Sequence, residues 1–203
     1  MIPHSVFVTG TDTGVGKTLV SAILTLALNA YYWKPIQSGL ADDLAEEKKI
    51  QQWTGLPEAR CIPSIYSLQA SLSPDQAAQL EDTQIDTSRC ILPTEKPLVI
   101  EGAGGVCVPL NENTLLIDLM ERWQLPVIIV ARGTLGTINH TVLTIEALRH
   151  RNILIHGVVF SGELNRHNQE AIEKWGRVST LFHVPFFKEI TPTVLKNWVK
   201  EHI

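Results

Sequence analysis

The stretch SVFVTGTDTGVGKT, residues 5–18, decides the fold of this chain. Its first four residues form a short apolar run typical of a buried strand, and residues 17–29 continue as a helical pattern. Between the two lies a glycine-rich turn. A strand, a glycine-rich turn and a helix are the order required by a phosphate-binding loop, because backbone N–H groups and the helix N-terminus then point at the anion. The stretch therefore predicts a phosphate site.

The spacing inside this loop differs from the common pattern, which has four residues between its glycines. Five residues separate Gly10 from Gly16, and Thr11 stands where the common pattern has its first glycine. The Lys17 ammonium can neutralise phosphate oxygens, and the Thr18 hydroxyl can bind Mg²⁺. The alternative at this point is a tight turn that only caps a core helix.

Short apolar runs alternate with helical patterns along the rest of the chain, as in β-α-β units. We therefore predict one domain over residues 1–203, with an α/β fold of the doubly wound, P-loop NTPase-like type and helices on both faces of a mainly parallel sheet. The predicted strands are 5–8, 31–34, 97–105, 125–131, 152–160 and 180–184. The predicted helices are 17–29, 42–55, 75–81, 115–123, 137–151, 165–177 and 191–202. Residues 57–95, rich in Pro, Ser and Thr, are the least readable segment.

Composition argues against several classes of partner. The formal net charge is −4 and the 17 Lys and Arg residues form no run, so neither nucleic acid nor an acidic membrane surface is expected to bind. The three cysteines are scattered and form no C-x-x-C pair, which favours a reducing compartment. We see no signal peptide and no spanning segment, and we expect the protein in the cytoplasm.

Polar residues at predicted strand ends are candidates for chemistry, because ligands of such sheets bind at the carboxyl ends of the strands. Lys34 follows a strand and could be a second cation over a transferred phosphoryl group. Glu101 directly follows the apolar run PLVI of another strand and could complete a Mg²⁺ shell, with Asp42 or Asp43 as a third ligand. Ser38 could donate a hydrogen bond. Solvated strand ends and helix capping are the alternatives for these residues.

Two further glycine-containing turns follow. Gly102, Gly104 and Gly105 let the backbone approach a ligand closely, or merely permit a turn. Gly136 and Thr137 stand at the start of another predicted helix, where unpaired N–H groups can hold a carboxylate or a phosphate.

Four blocks together, GTDTGVGKT, WKPIQSG, EGAGG and LGTINHTVLT, resemble the dethiobiotin synthetase family in order and approximate spacing. That family's phosphate loop has the longer spacing G-x-x-x-x-x-G-K-T. The resemblance implies an ATP- and Mg²⁺-dependent ligase of biotin biosynthesis. Such an enzyme forms the ureido ring of dethiobiotin from 7,8-diaminononanoate and CO₂, through a carbamate and a carbamic–phosphoric anhydride, and releases ADP and phosphate. It also implies a homodimer that holds the substrate's tail carboxylate across its interface.

The resemblance also assigns roles to residues of this sequence. Catalytic roles fall on Thr13, Lys17 and Lys34. Nucleotide binding is implied for Gly14, Val15, Gly16, Lys17, Thr18, Leu19, Glu101, Gly102, Ala103, Gly104, Ser161 and Pro185. Substrate binding is implied for Ser38, Gly105, Gly136, Thr137 and Asn139. Mg²⁺ binding is implied for Thr18, Glu101 and Asp43, with Asp43 slightly favoured over Asp42.

The sequence departs from the family at two positions. Gly14 stands where many relatives have a glutamate, so a contact from that side chain to the substrate amines is lost. Ser161 stands where the family often has an asparagine that reads the adenine, so the base preference is an open question.

Two other functions are compatible with the phosphate loop. An amidoligase of the cobyrinic acid synthase type usually carries an added glutamine-amidotransferase domain, for which 203 residues leave no room. A partitioning ATPase normally has a second lysine early in the loop, where this chain has Asp12. We therefore favour the ligase.

Overall fold

We describe residues 2–203 in a computed structural model of the chain. The strands are β1 Ser5–Gly10, β2 Tyr31–Trp33, β3 Ile36–Gln37, β4 Cys61–Ile62, β5 Tyr66–Ser67, β6 Leu98–Gly105, β7 Pro109–Asn111, β8 Thr114–Leu115, β9 Val127–Arg132, β10 Ile155–Ser161 and β11 Thr180–Val184. The helices are α1 Lys17–Ala27, α2 Glu46–Thr54, α3 Pro74–Leu80, α4 Leu116–Trp123, α5 Thr137–His150, α6 Arg166–Gly176 and α7 Pro192–His202.

Seven strands form one parallel sheet in the order β11-β10-β9-β1-β6-β2-β4. The strand order reverses around β1, which lies between β6 and β9, and a doubly wound sheet binds its ligand at such a point. Strands β3 and β5 form a small parallel pair, and β7 and β8 form an antiparallel pair. The predicted fold class is confirmed.

Helices cover both faces of the sheet because its central strands are apolar on both faces. Val6 and Val8 of β1 pack in one buried cluster with residues of α1, α2 and α7. Phe7, which points to the opposite face, packs in a second cluster with residues of α3, α4, α5 and α6. No helix within residues 2–203 is long and apolar enough to cross a bilayer.

One element boundary bears on the site, because α2 begins at Glu46 and not at Asp42 as predicted. The backbone N–H groups of Asp42 and Asp43 both donate to the carbonyl oxygen of Gly39, at 3.2 and 3.1 Å, so these residues close a turn. Glu46 and Glu47 are therefore the acidic residues of the first helical turn. Their charge there is favourable to the helix dipole.

Residues 57–95, for which the sequence allowed the weakest prediction, add a strand at the β2 edge of the main sheet and a helix that packs on one of its faces. Strand β4 pairs with β2 and extends the main sheet, while β5 pairs with β3 beside it. Helix α3 spans Pro74–Leu80, close to the predicted bounds of 75–81. The segment escaped sequence prediction because its two strands are only two residues long, too short to show a period.

Candidate active site

A cavity of about 760 Å³ opens where β1, β2 and β6 end. Parallel pairing brings these ends together, with Val8 opposite Glu101 and Trp33 opposite Ile100. The residues that line the cavity include Thr13, Gly14, Gly16, Lys17, Thr18, Leu19, Lys34, Ser38, Asp43, Glu46, Glu101, Ala103 and Gly104. The phosphate loop and the polar strand ends thus form one site.

The phosphate loop has left-handed backbone at two glycines. Gly14 has φ +72° and faces open space, whereas Gly16 has φ +97° and immediately precedes α1. A Cβ added at Gly16 would lie 2.4 Å from Oγ of Ser161, at the end of β10. The loop therefore needs glycine at position 16 both for its φ and for the space.

The charged residues around the loop are paired. The Lys17 ammonium donates to the carbonyl oxygen of Asp12 at 2.9 Å, inside the loop itself. The Asp12 carboxylate pairs with Arg132 at the end of β9. Lys17 is nearly buried, and within residues 2–203 its ammonium donates to a neutral carbonyl and to no carboxylate, so its charge is available to an anion in the cavity.

Glu101 is the centre of a buried polar cluster. Its Oε1 accepts hydrogen bonds from the Thr18 hydroxyl at 2.9 Å and from the Lys34 ammonium at 3.1 Å. Its Oε2 accepts a hydrogen bond from the Tyr32 hydroxyl at 3.0 Å. Lys34 also donates to Oε1 of Glu46 at 2.9 Å, so this lysine bridges two carboxylates.

The cluster holds its members in their charged forms. Burial alone would lower the pKa of Lys34, but the carboxylates of Glu101 and Glu46 outweigh it and raise that pKa. Burial would likewise raise the pKa of Glu101, but the Lys34 and Lys17 ammonium groups outweigh it and lower that pKa. Opposite charges at close range in a low dielectric explain both directions.

Lys17 behaves differently from Lys34. Burial is the main cause that lowers the pKa of Lys17, to about 8, and the Lys34 ammonium adds to the effect, while Glu101 opposes it. The ordinary value is 10.5, so the unliganded site destabilises this charge. A phosphate oxygen beside Lys17 would restore the charged form.

Nucleotide binding is therefore expected to take up protons near pH 8. With the pKa of Lys17 at about 8, half of the free protein lacks this proton at pH 8, and phosphate draws it back, about half a proton per nucleotide. The uptake should be small at pH 7, where Lys17 is already protonated, and larger at pH 9. Calorimetric titration with a nonhydrolysable ATP analogue, in two buffers of different ionisation enthalpy, measures it.

Lys17→Arg is the matched control, because the guanidinium keeps its charge throughout this range. Its proton uptake should be close to zero at all three pH values. Equal uptake by the wild type and by Lys17→Arg would contradict the assignment.

The proposed metal ligands are not all brought together. Thr18 and Glu101 are in contact, whereas the Asp43 carboxylate binds the Lys49 ammonium and its side chain is 67 % exposed. The hydrogen bond and the pairing with Lys49 lower the pKa of Asp43. Ser71 binds the carboxylate of Asp42 at 2.6 Å. Asp43 lines the cavity but does not join the Glu101 cluster.

Other predicted site residues line the cavity or lie beside it. Ser38 lines it, and its hydroxyl donates to the carbonyl oxygen of Leu72 at 2.7 Å. Gly102 packs against Phe7 and Leu116, so a Cβ at this position would require these side chains to shift. Gly105 lines a neighbouring pocket of about 450 Å³, as does Thr13.

The remaining predictions concern backbone and helix starts away from the cavity wall. Val15 is buried in the core beside α1. Gly136 and Asn139 are exposed at the start of α5, where the Thr137 side chain is buried. Pro185 directly follows β11, next to the end of β10 that carries Ser161. The ligand roles of all these residues stay predictions.

Sequence reasoning missed two members of the cluster, Glu46 and Tyr32. Glu46 is one of four acidic residues within 42–47, and α2 begins four residues later than predicted, so the sequence did not single it out. Tyr32 belonged to an apolar strand, and nothing in the sequence shows that its hydroxyl reaches a residue 69 positions away.

The sequence is similar to those of several known proteins. A family profile described as an AAA domain matches residues 4–194. The biotin biosynthesis bifunctional protein BioCD of Bordetella avium (strain 197N) is 48 % identical over 98 % of this chain, which spans 43 % of that longer protein. The ATP-dependent dethiobiotin synthetase BioD of Agrobacterium fabrum is 45 % identical over 96 % of this chain and 92 % of its own length. The chain belongs to the dethiobiotin synthetase family.

Membership confirms the resemblance that the four sequence blocks indicate. The fold is also similar to that of a solved structure. The crystal structure of a putative plasmid partition protein from Borrelia burgdorferi B31 is 13 % identical, with a TM-score of 0.55 over 99 % of this chain and 96 % of that chain. At that identity the likeness shows the shared fold alone. The loop at residues 10–18 and the cluster around Glu101 are the parts of the site whose chemistry the family activity has to use.

Proposed function

We propose that this chain is an ATP-dependent dethiobiotin synthetase that closes the ureido ring on 7,8-diaminononanoate with CO₂. The observation that carries the proposal is the pair of buried lysines, Lys17 and Lys34, at one end of the cavity beside the phosphate loop. Both ammonium groups lower the pKa of the Glu101 carboxyl, and the Lys34 ammonium also lowers the pKa of Lys17, so the two positive charges act on one site. A site with two converging cations suits a reaction whose reactants are a triphosphate and a carbamate.

The chemistry needs no nucleophile from the protein. One substrate amine attacks CO₂ and loses a proton, which gives a carbamate. A carbamate oxygen attacks the γ-phosphorus of ATP, and ADP leaves with the electrons of the broken P–O bond. The second amine then attacks the carbonyl carbon of the mixed anhydride, phosphate leaves, and the cyclic urea loses a proton.

The chain's residues align these reactants and offset their negative charge. Backbone N–H groups from Gly14 to Thr18 are positioned to hold the phosphates at the start of α1. Lys17 begins α1 directly after the loop, and its ammonium would neutralise the β- and γ-phosphates of bound ATP. Lys34 directly follows β2 and lines the same cavity, where its ammonium would neutralise the γ-phosphate and the carbamate. Thr13 and Ser38 also line the cavity, and we assign them to the substrate.

A magnesium ion fits the oxygen-rich side of the site, and it supplies further neutralisation of the phosphates when bound. We assign its protein ligands to Thr18, Glu101 and Glu46. The Lys34 ammonium binds both of these carboxylates, so they lie close together, and a bound Mg²⁺ would share them with Lys34. No group of three or more His, Cys, Asp and Glu residues converges anywhere in residues 2–203, so two carboxylates and a hydroxyl suit an ion that keeps phosphate and water oxygens.

Glu46→Gln is expected to raise the Mg²⁺ concentration for half-maximal activity about tenfold or more, because one anionic ligand is lost. Asp43→Asn is the matched control from the same cavity, and its Mg²⁺ dependence should stay within about twofold of the wild type. Steady-state rates over a Mg²⁺ series, at saturating ATP, measure both. A larger effect of Asp43→Asn than of Glu46→Gln would return the third ligand to Asp43.

The start of α5 suits the substrate's tail carboxylate in a homodimer. Gly136, Thr137 and Asn139 stand at the N-terminus of this 14-residue helix, and they do not line the cavity of their own chain. A second copy of the chain could present this helix start to the cavity. We accordingly propose a cytoplasmic homodimer whose substrates are the diamine, CO₂ and MgATP, with no nucleic acid and no membrane as partner.

The test of the proposed function is phosphate release from MgATP with each reactant omitted in turn. Release should require both 7,8-diaminononanoate and bicarbonate, and dethiobiotin should form in equal amount. Putrescine, a diamine with amines too far apart to close a five-membered urea and without the carboxylate, serves as the control and should support no release. Phosphate release that ignores the diamine would overturn the proposal.

A further inference from the structure

We propose that Tyr32 is a positioning residue that orients the Glu101 carboxylate for metal binding. The inference rests on the proposed function, since it takes Glu101 as a ligand of Mg²⁺. Tyr32 lies on β2, it is fully buried, and its hydroxyl is 3.0 Å from Oε2 of Glu101. Nothing in the chemistry of the reaction calls for a tyrosine at this place.

The two oxygens of Glu101 have separate surroundings. Oε1 faces the cavity side, where Thr18 and Lys34 contact it. Oε2 accepts a hydrogen bond from the Tyr32 hydroxyl, which comes from the apolar cluster beneath α1. A hydrogen bond to Oε2 restricts rotation of the carboxylate about its Cγ–Cδ bond, so Oε1 stays directed at the cavity.

The position of Tyr32 in the sheet explains why this contact is rigid. Tyr32 is in register with Val99 of the neighbouring β6, two residues before Glu101, so its ring lies along the strand and its hydroxyl reaches the carboxylate. The ring is fixed in the core with Val6, Val8 and Val99. Metal ligands held by such a hydrogen bond bind more tightly, and loss of the supporting partner typically reduces affinity about 10- to 100-fold.

Tyr31 offers a matched control on the same strand. It points to the opposite face, where it is partly exposed and its ring stacks with the Arg60 guanidinium. Tyr31→Phe removes a hydroxyl from the same strand without touching Glu101. Tyr32→Phe removes only the hydroxyl that contacts the carboxylate.

The test is Mn²⁺ binding measured by electron paramagnetic resonance in the presence of a nonhydrolysable ATP analogue. Tyr32→Phe should weaken Mn²⁺ binding about tenfold, whereas Tyr31→Phe should leave it unchanged. In turnover assays Tyr32→Phe should need more Mg²⁺ for half-maximal rate, and excess Mg²⁺ should restore kcat to within about twofold. A merely structural role would lower the melting temperature and leave the Mn²⁺ affinity of the folded protein unchanged, and that result would overturn the inference.

Glu101→Gln separates this inference from the proposed function. If Glu101→Gln weakens Mn²⁺ binding and Tyr32→Phe does not, Tyr32 has no positioning role and the metal assignment stands. If Glu101→Gln has no effect, the metal assignment itself fails, and the inference fails with it. In the Glu101→Gln background, Tyr32→Phe should cause no further loss, because its effect acts through that carboxylate.

A spectroscopic measurement covers the case in which Tyr32→Phe does not fold. The chain has three tyrosines, so in a Tyr31→Phe/Tyr66→Phe variant Tyr32 is the only one left. Its ring, labelled as 3-fluorotyrosine, should give a single ¹⁹F resonance that shifts when Mg²⁺ is added to the complex with the ATP analogue. A resonance that does not respond to Mg²⁺ would contradict the inference.

Discussion

Lys34→Met is expected to reduce turnover on the order of a thousandfold, the scale of losing a charge-stabilising donor at a transferred group. The lysine is buried between Glu101 and Glu46 and opens on the cavity that contains the phosphate loop. Methionine keeps the length of the apolar stem, with sulfur in place of one methylene, and removes the ammonium. Single-turnover rates with ATP, diamine and bicarbonate measure the effect, and retention of more than about a tenth of the wild-type rate would remove Lys34 from the mechanism.

The same variant should also lose stability, by about 3 kcal/mol, because removal of one partner leaves buried carboxylates without a cation. Adding Glu46→Gln should recover part of that stability and none of the turnover, which separates the two effects. Lys49→Met is the control for a lysine of the same cavity, since Lys49 pairs with the exposed Asp43. Its turnover should stay within about threefold of the wild type.

Gly16→Ala is expected to weaken nucleotide binding about a hundredfold, because displaced binding groups at a phosphate site carry penalties of this size. Its added methyl group meets Oγ of Ser161 at 2.4 Å, and its φ of +97° is strained for alanine. Both effects push the start of α1 away from β10, so the N–H groups no longer converge on the phosphates. Fluorescence titration with a labelled ATP analogue measures the affinity.

Gly14→Ala separates the clash from the strain. Gly14 has a similar left-handed φ of +72°, but its added methyl group would meet nothing within 4 Å. Its affinity should fall at most about tenfold, because left-handed backbone costs a non-glycine residue about 1–2 kcal/mol and many relatives have a glutamate at this position. The double variant Gly16→Ala/Ser161→Gly should recover toward the level of Gly14→Ala, and equal affinities of the two single alanine variants would show that contact with Ser161 is unimportant.

Some residues of the site could be predicted from the sequence, and others could not. Lys17, Thr18, Lys34 and Glu101 could be predicted because each lies near a strand whose apolar run is plain in the sequence. Lys17 and Thr18 begin the helix after β1, Lys34 directly follows β2, and Glu101 follows the apolar residues 98–100 inside β6. The position of each strand end is local information, and parallel strands necessarily bring their carboxyl ends to one edge. The same reasoning could not choose among the acids of residues 42–47, because a shift of a few residues in the start of α2 changes which one faces the cavity.

The sequence by itself determined the fold class, the phosphate loop and the family, because these depend on short patterns of neighbouring residues. Only the tertiary structure decided that Glu46 and not Asp43 shares Lys34 with Glu101, and that Tyr32 holds the second oxygen of that carboxylate. Contacts across 67 and 69 residues depend on sheet order, register and side-chain direction. None of these three leaves a periodic trace in a single sequence.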